Sequence, residues 1–448
     1  MMKTARFIGV ISLNAFLLAG CATYSPLPLA DGPHLASSLE ELQNLSSENA
    51  GAAKKPLAMS DITRLAVEYN PDLKAARNDT QIAEAQIVQA GIFPNPQFNG
   101  SYDFFMGGPA FANAYGLGLA EDIKALVMRG ATRDAAEYDA HKVDADLLWQ
   151  EWQTVGKARL LYVDLAEMTE LQSVLEKSRR LLADRYNHSH QALLRGDVDL
   201  STEAPDLAAL SDMEKQLNDL DRQIQSKWQE MDALLGLEPD VRFELSPDIP
   251  ILDVNRKAIE KASAELPSRP DLAALKFGYE SQEQKLRAAI LGQFPALVFG
   301  GSYNSDTSRV LSGGPLVTID LPVFNRNQGN IAIESATRQK LREAYANRLN
   351  AAAGQLKAMT DDDFLLQGQY AKTQKIAEAA QKAGLRADAA FKAGNIDERS
   401  YVDLMMVAFN QKQQMISLKQ SLLEQQVALA TLLGIGMPPI KLADTSGE

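Results

Sequence analysis

The sequence predicts a mainly α-helical protein with a small β part, in which long coiled-coil helices are combined with four short strands. The first observation is a tract from Gln328 to Ala393 that contains no proline and would extend about 100 Å as one helix. The second is a set of short runs in which apolar and polar residues alternate with the period of a strand. The third is a series of matching motifs roughly 200 residues apart, which indicates an internal two-fold repeat.

Within the long tract, apolar or small residues recur at alternating steps of three and four, the pattern of a coiled-coil seam. Many of these positions hold Ala, Gly or Thr, so we expect neighbouring helix backbones to approach closely. The seam positions are Leu341, Tyr345, Leu349, Ala352, Leu356, Met359, Leu366, Tyr370, Thr373, Ala377, Ala380, Gly384, Ala387 and Phe391.

The first twenty residues are typical of a secretory signal peptide. Two basic residues, Lys3 and Arg6, precede an apolar stretch from Phe7 to Leu18 that is too short to span a membrane as a helix. The stretch leads to a Leu-Ala-Gly-Cys sequence that resembles a bacterial lipobox and ends at Cys21, the only cysteine of the chain. We therefore expect Cys21 to carry acyl chains such as palmitate, which would hold the protein on a membrane. The alternative is an ordinary signal peptide that happens to contain a cysteine.

Charge and hydropathy restrict the location and the partners. The formal net charge of −13 argues against a nucleic-acid partner. Ala22 follows the cysteine where an aspartate would resemble an inner-membrane retention signal, so we expect the outer membrane. No segment after the signal approaches eighteen consecutive apolar residues, which excludes a helical span.

Each half contains a predicted β-hairpin between helices. In the first half the hairpin follows a helix from about Ser60 to Gly91, and helices of about Met128–Leu194 and Ser201–Leu235 come after it. In the second half, a helix of about Val254–Gly292 precedes strands at Leu297–Tyr303 and Leu316–Val323. The long seam helix and a closing helix that ends at Leu433 follow these strands.

The apolar residues of the hairpins alternate with polar or small ones, as expected for strands with lipid on one side and water on the other. The alternative, a half-buried hairpin in a soluble sheet, has the same period. The predicted membrane-facing residues are Phe98, Tyr102, Phe104, Tyr115, Leu117, Phe299, Tyr303, Val317 and Ile319. Strands that cross a membrane must close into a barrel, and four strands are too few because such barrels need at least about eight. The chain is therefore expected to oligomerise.

These features define the expected domain organisation. It consists of the signal peptide 1–20, an acylated tether 21–57, a first repeat 58–240 with its hairpin at 97–122, a second repeat 250–436 with its hairpin at 296–323, and a tail 437–448.

Several motifs together resemble the outer membrane efflux protein family, the TolC-like channel-tunnels. They are the duplicated plan, Asn70-Pro71-Asp72-Leu73 with its counterpart Arg269-Pro270-Asp271-Leu272, the segment Leu321-Pro322-Val323-Phe324-Asn325-Arg326, and the lipobox. The resemblance covers roughly residues 58–436, and the segment from Leu321 to Gly329 is most similar to the heavy-metal branch, the CzcC- and CusC-like proteins.

The resemblance implies a homotrimer, with a twelve-stranded transmembrane β-barrel in the outer-membrane lipid and an α-helical barrel in the periplasm. It also implies a passive duct with no cofactor and no enzymatic activity. Drugs or heavy-metal cations would enter it from an inner-membrane pump of the resistance-nodulation-division (RND) type, through a periplasmic adaptor (membrane fusion) protein.

The same resemblance assigns roles to the turns that connect the helices. Gly196 and Asp197, with Gly394 and Asn395, would lie at the periplasmic tip and contact the adaptor. Asp403 matches a family aspartate that rings the aperture, and Asp397 and Glu398 would add negative potential there and concentrate cations. The alternative is that Asp403 is a solvated surface acid and that Asp197, Asp199, Asp397 and Glu398 are turn and cap residues, with a cap the favoured interpretation for Asp197 and Asn395.

Signals for catalysis or for a resident metal are weak. His188 and His190 are two residues apart, so on a helix they point in nearly opposite directions and cannot share one metal ion. Met405-Met406 suggests copper or silver handling, but packing is the simpler interpretation, and Asp361-Asp362-Asp363 would fan around a helix as a solvated face. The competing function is a lipid-anchored periplasmic coiled-coil scaffold that forms no pore.

Overall fold

The computed structural model describes residues 23–44, 56–108, 112–249 and 256–437. Cys21 and the signal peptide lie outside these residues. Residues 23–36 belong to one unit, in which 23–35 contain no helix or strand, and the elements below belong to a second unit. None of the described helices combines the length and apolarity needed to cross a bilayer.

The second unit contains nine α-helices and four strands among its described residues. In chain order they are α1 (Leu39–Asn44), α2 (Met59–Tyr69), α3 (Pro71–Gly91), β1 (Gln97–Asp103), β2 (Ala114–Asp122), α4 (Ile123–Arg195), α5 (Leu200–Leu235), α6 (Arg256–Ala264), α7 (Pro270–Leu291), β3 (Leu297–Ser305), β4 (Leu311–Ile319), α8 (Gln328–Lys392) and α9 (Glu398–Leu433). The predicted fold class is thus confirmed. In both halves, helices precede a hairpin, and a long helix and then a shorter one follow it. The duplication of the sequence itself stays a prediction.

Two predicted helices are interrupted by prolines. The helix expected from Ser60 to Gly91 breaks between α2 and α3 because Pro71, at the first helical position, has no N–H to continue the helix. Asn70 caps α3 by accepting a hydrogen bond from the Leu73 N–H at 3.0 Å, and its amide donates to the Leu234 carbonyl at 2.9 Å. The helix expected from Val254 to Gly292 is likewise divided into α6, a 3₁₀ turn at Leu266–Ser268, and α7, which begins at Pro270.

Two uninterrupted helices carry the chain away from the sheet. α4 has 73 residues and α8 has 65, which correspond to about 110 Å and 98 Å of helix. α4 starts directly after β2, five residues earlier than predicted, and the Asp122 carboxylate caps it by accepting from the Ala125 N–H at 3.1 Å. The turns at the far ends of both helices are therefore about 100 Å from the strands.

The predicted seam of α8 is the side on which the helix packs against α7 and α9. Every seam position except the exposed Phe391 is buried or half-buried. The small residues serve close contact, because a Cβ on Gly384 would lie 3.2 Å from the Ala408 Cβ and 3.3 Å from the Met405 sulfur. α4 packs against α3, α5, α7 and α9.

A buried ion cluster fixes α7 and α8 beside α4. Arg269 donates two hydrogen bonds to Asp271, at 2.6 and 2.7 Å, and Arg348 of α8 donates to the same carboxylate at 2.6 Å. Both guanidinium groups lie over the ring of Trp149 in α4. Burial raises the pKa of Asp271, but the two arginines outweigh it and hold this pKa below its usual range.

The four strands form one antiparallel sheet in the order β1-β2-β3-β4. The predicted bounds of three strands differ from the structure, and β3 continues to Ser305, two residues past the predicted Tyr303. β1 ends at Asp103, so Phe104 follows the strand, although its ring contacts Tyr102 edge to face at 5.0 Å. β4 runs from Leu311 to Ile319 rather than from Leu316 to Val323, because its pairing ends where β3 begins, at Leu297 opposite Ile319.

Glycine is required where β2 and β3 meet. A Cβ on Gly300 would lie 2.1 Å from the Leu119 carbonyl oxygen and 2.7 Å from the Ala120 Cα, so the backbone would have to move. The next residue, Gly301, has room, since its Cβ would meet only the Gly314 oxygen at 3.8 Å.

We therefore expect Gly300→Ala to disrupt the pairing of the two hairpins, and Gly301→Ala to be tolerated. The measurement is the amount of folded, membrane-inserted protein and its thermal unfolding temperature. Gly300→Ala should reduce inserted protein several-fold, whereas Gly301→Ala should match the wild type. Equal amounts of inserted protein and equal unfolding temperatures for the two variants would contradict the close approach of Gly300 to the backbone of β2.

Candidate functional site at the sheet and the helix turns

The sheet has one apolar face and one polar face. The register places Tyr102 opposite Tyr115 and Phe299 opposite Val317, and residues directly opposite each other share a face. The predicted membrane-facing residues Phe98, Tyr102, Tyr115, Leu117, Phe299, Tyr303, Val317 and Ile319 all lie on this face, with Glu121 at its end next to α4. The opposite face carries Asn99, Ser101, Asp103, Ser302, Asn304 and Thr318. Such alternation is typical of strands between lipid and water.

The apolar face is uncovered in the described chain. Phe98 is 70 % exposed and Phe299 54 %. Among the described strands, β1 pairs only with β2, and β4 pairs only with β3, so both outer edges of the sheet are without a partner strand. An exposed apolar face with open edges is stable only when lipid and further strands complete it.

Two glycines end the helices at the far turns. Gly196 has φ 78° and Gly394 has φ 73°, a left-handed conformation that costs least in glycine. The following N–H groups, of Asp197 and Asn395, donate back to the carbonyls of Ala192 and Ala390 at 2.9 Å each. These bonds close the C-terminal ends of α4 and α8 in the same way.

The cap interpretation is confirmed for Asp199 and Asp397, which lie two residues after the favoured caps Asp197 and Asn395. The N-caps are Asp199 for α5 and Asp397 for α9, because two residues are needed to reverse the chain after each glycine. The Ser400 backbone and hydroxyl hold the pKa of Asp397 below its usual range, and hydrogen bonds from Ser201 and Thr202 do the same for Asp199. The prediction of Asp197 as a cap is wrong, since its carboxylate pairs with Arg195 at 2.8 Å. Asn395, also predicted as a cap, is not the N-cap of α9 either.

An ion network ties three helices together near these turns. Asp206 of α5 is fully buried and receives two guanidinium groups, Arg185 Nε of α4 at 2.9 Å and Arg399 Nη2 of α9 at 3.0 Å. Arg185 Nη1 also lies 2.7 Å from an oxygen of Asp403. Sequence reasoning missed Arg185, Asp206 and Arg399, because the partners are 21 to 218 residues apart and follow no local period. The one available signal was an acid, Asp206, in a stretch of small and apolar residues.

The aperture candidates therefore have partners within the chain. Asp397 accepts from the Ser400 N–H at 2.7 Å, Glu398 Oε1 lies 2.6 Å from His188 Nδ1, and Asp403 pairs with Arg185. Asp403 nevertheless keeps a side chain that is 65 % exposed. Their role at an aperture stays a prediction.

The methionine pair is used in packing. Met406 packs against a buried cluster that includes Val402, Leu182 and Met213, and the Met405 sulfur lies against Gly384. The interpretation of Asp361-Asp362-Asp363 as a solvated face is wrong for Asp363, which is buried at the contact of α8 with α9. Among the described residues, no group of three or more His, Cys, Asp or Glu is arranged to hold a metal ion.

Asp206 and Asp403 make a matched pair for a test of the network. Asp206→Asn leaves two arginines facing a neutral amide in a buried position, which should cost on the order of 3 kcal/mol. Asp403→Asn removes an exposed partner and should cost about 0–1 kcal/mol. The measurement is the free energy of unfolding, together with protease cleavage at the two turns. Equal destabilisation by both substitutions would contradict the conclusion that Asp206 is the residue on which the ion network depends.

Comparison with known proteins identifies the same architecture. Residues 262–435 match the family model described as Outer membrane efflux protein. The cobalt-zinc-cadmium resistance protein CzcC of Cupriavidus metallidurans is 22 % identical over 359 residues, which cover 80 % of this chain and 85 % of that protein.

Solved structures share the fold over nearly the whole length. CusC matches with a TM-score of 0.67 at 17 % identity, covering 92 % of this chain and 99 % of that one. The Campylobacter jejuni outer membrane channel CmeC matches with a TM-score of 0.69 at 16 % identity, covering 93 % and 95 %. Residues 262–435 are thus similar to the outer membrane efflux protein family, and the solved channels share the fold of nearly the whole chain.

Proposed function

We propose that three copies of the chain form the outer-membrane channel-tunnel of a tripartite efflux system. The duct is passive, and its partners are a periplasmic adaptor and an inner-membrane pump of the RND type. The observation that carries the proposal is the four-stranded sheet, with one exposed apolar face, one polar face and two open edges. Three such sheets joined edge to edge make a twelve-stranded barrel, with the apolar faces toward lipid and the polar faces toward water.

The helices extend this duct into the periplasm. α4 and α8 are each about 100 Å long, so the turns at Gly196 and Gly394 lie at the end remote from the membrane. There the turns contact the adaptor. The acylated Cys21 and the tether that follows it add an anchor in the outer-membrane lipid.

Heavy-metal cations are the cargo class we favour. A relative that spans most of the chain is a cobalt-zinc-cadmium resistance protein, and the resemblance of the Leu321–Gly329 segment points to the same branch. Asp397 supplies negative charge at the turns, and Asp403 keeps an exposed carboxylate although it pairs with Arg185, so both would attract cations to the entrance. A scaffold that forms no pore is disfavoured, because it has no use for an exposed apolar sheet face.

Single-channel recording of the purified, lipidated protein in a planar bilayer tests the duct. We expect discrete current steps from the wild type. Asp206→Asn should spend a larger fraction of time open, because the ion network that holds the turns is weakened. Gly300→Ala serves as the control and should give several-fold fewer steps, because less of it inserts. Folded trimer that stays silent in both wild type and Asp206→Asn would contradict the proposal.

Asp403 allows a separate test of the entrance. Asp403→Asn should raise the cobalt or zinc concentration that half-blocks the current by at least about threefold, because an exposed charge that concentrates cations is lost. The control is Asp219→Asn on the surface of α5, where the carboxylate pairs with Arg222. Identical block curves for wild type and Asp403→Asn would remove Asp403 from the aperture.

A further inference from the structure

Two of the four histidines of the chain lie at the turn end of α4, and each reaches a different neighbouring helix. His188 Nδ1 lies 2.6 Å from Glu398 Oε1 of α9, and His190 Nδ1 lies 3.1 Å from Glu203 Oε1 of α5. Residues two apart on a helix point to nearly opposite sides. The spacing that prevents the histidines from sharing a metal ion therefore lets one helix contact two others.

The imidazoles are the cation-forming partners of these two glutamates. In the described part of the chain, no Lys or Arg nitrogen lies within ion-pair distance of Glu203 or Glu398. Glu203 is buried, so the charge of its partner has a large effect on the contact. The ring of Tyr186, one turn earlier in α4, stacks on His190 at 5.6 Å and restricts its position.

The other charged groups facing the histidines already have partners. From α5 and α9, Asp206 and Asp403 are bound to Arg185, and Arg399 is bound to Asp206. At the first turn, Arg195 pairs with Asp197. The arginine network thus holds the three helices at any pH at which its carboxylates are ionised, and the histidine contacts add to it.

We propose that His188 and His190 form an acid-strengthened clamp, which fastens the turn end of α4 to α5 and α9 and holds the two turns more tightly at about pH 5.5 than at about pH 7.5. The clamp concerns the packing of the turns within one chain, and only its consequence for conduction rests on the proposed function.

The direction follows from the chemistry of the pairs. Histidine gains its charge between about pH 8 and 5, and a hydrogen bond between an imidazolium and a carboxylate is roughly twice as strong as a neutral one. The contacts are therefore strongest on the acid side of this range and weaken as the pH rises.

One remote group titrates in the same range and has to be separated from the clamp. Burial and the neighbouring Asp164 raise the pKa of Glu424 to about 7. Glu424 is also in α9, but it lies 26 residues beyond Glu398, which is about 39 Å along the helix. Glu424→Gln removes this group and leaves the clamp intact.

The test measures the mobility of a spin label at the exposed start of α5. Leu200→Cys in the full-length protein carries the nitroxide, and labelling of the chain without this substitution reports any contribution from Cys21. We expect a mobile fraction about two- to fivefold smaller at about pH 5.5 than at about pH 7.5, the range that a surface ion pair supports. The double variant His188→Gln/His190→Gln should abolish this pH difference in mobility. The double variant Glu203→Gln/Glu398→Gln, which removes the carboxylate partners, should abolish it as well.

Two matched variants should keep the pH difference. His141→Gln changes the same residue type on the same helix, where the ring contacts Phe277 at 5.4 Å, and Glu424→Gln removes the remote titrating group. A pH difference that survives both double variants overturns the clamp, as does one that disappears with Glu424→Gln. A channel that never conducts would contradict the proposed function, while the spin-label result would still decide the clamp.

Discussion

The open edges of the four-stranded sheet are the constraint on which the rest of the structure depends. β1 and β4 each leave one row of backbone N–H and C=O groups without a partner strand in the described chain. In hydrocarbon such groups cost several kcal/mol each, so a sheet with open edges cannot remain in a membrane alone. The exposed apolar face requires lipid, and the edges require further strands. Both requirements are met when copies of the chain join edge to edge.

The helices extend the closed sheet into a duct. α4 follows β2 without an intervening loop, with Asp122 as both the last strand residue and the helix cap. The position of α4 is therefore set by its hairpin, and the cluster of Arg269, Asp271 and Arg348 at Trp149 fixes α7 and α8 beside it. At the far end, Asp206 gathers α4, α5 and α9 through two arginines. We expect a weakened network at that end to loosen the turns while the sheet stays intact.

Features with a local period could be predicted from the sequence. The seam of α8 follows steps of three and four, and the strands alternate with period two, so helices, strands and the faces of the sheet were found. Boundaries were less accurate where pairing decides them. β4 starts at Leu311 because β3 provides partners as far as Ser305, and this information lies in the other strand. Pro71 and Pro270 were recognised as parts of a repeated motif, but they also begin new helices.

The network at the turns could not be predicted for the same physical reason. Arg185 and Asp403 are 218 residues apart, and Arg399 and Asp206 are 193 apart, so no sequence pattern joins them. His188 and His190 were examined only as a possible metal pair, whereas the structure gives each a glutamate on a separate helix. Three successive acids around a helix predict a solvated face, yet the contact of α8 with α9 buries Asp363.

The closure of the sheet by further copies is tested most directly by photo-crosslinking in intact outer membranes. A photoreactive residue replaces Ser312 in β4, on the polar face and at the open edge. The account predicts crosslinks to peptides of β1 in a second copy, and a ladder of crosslinked species that ends at three chains. Crosslinks confined to one chain, or a ladder that continues beyond three, would contradict it.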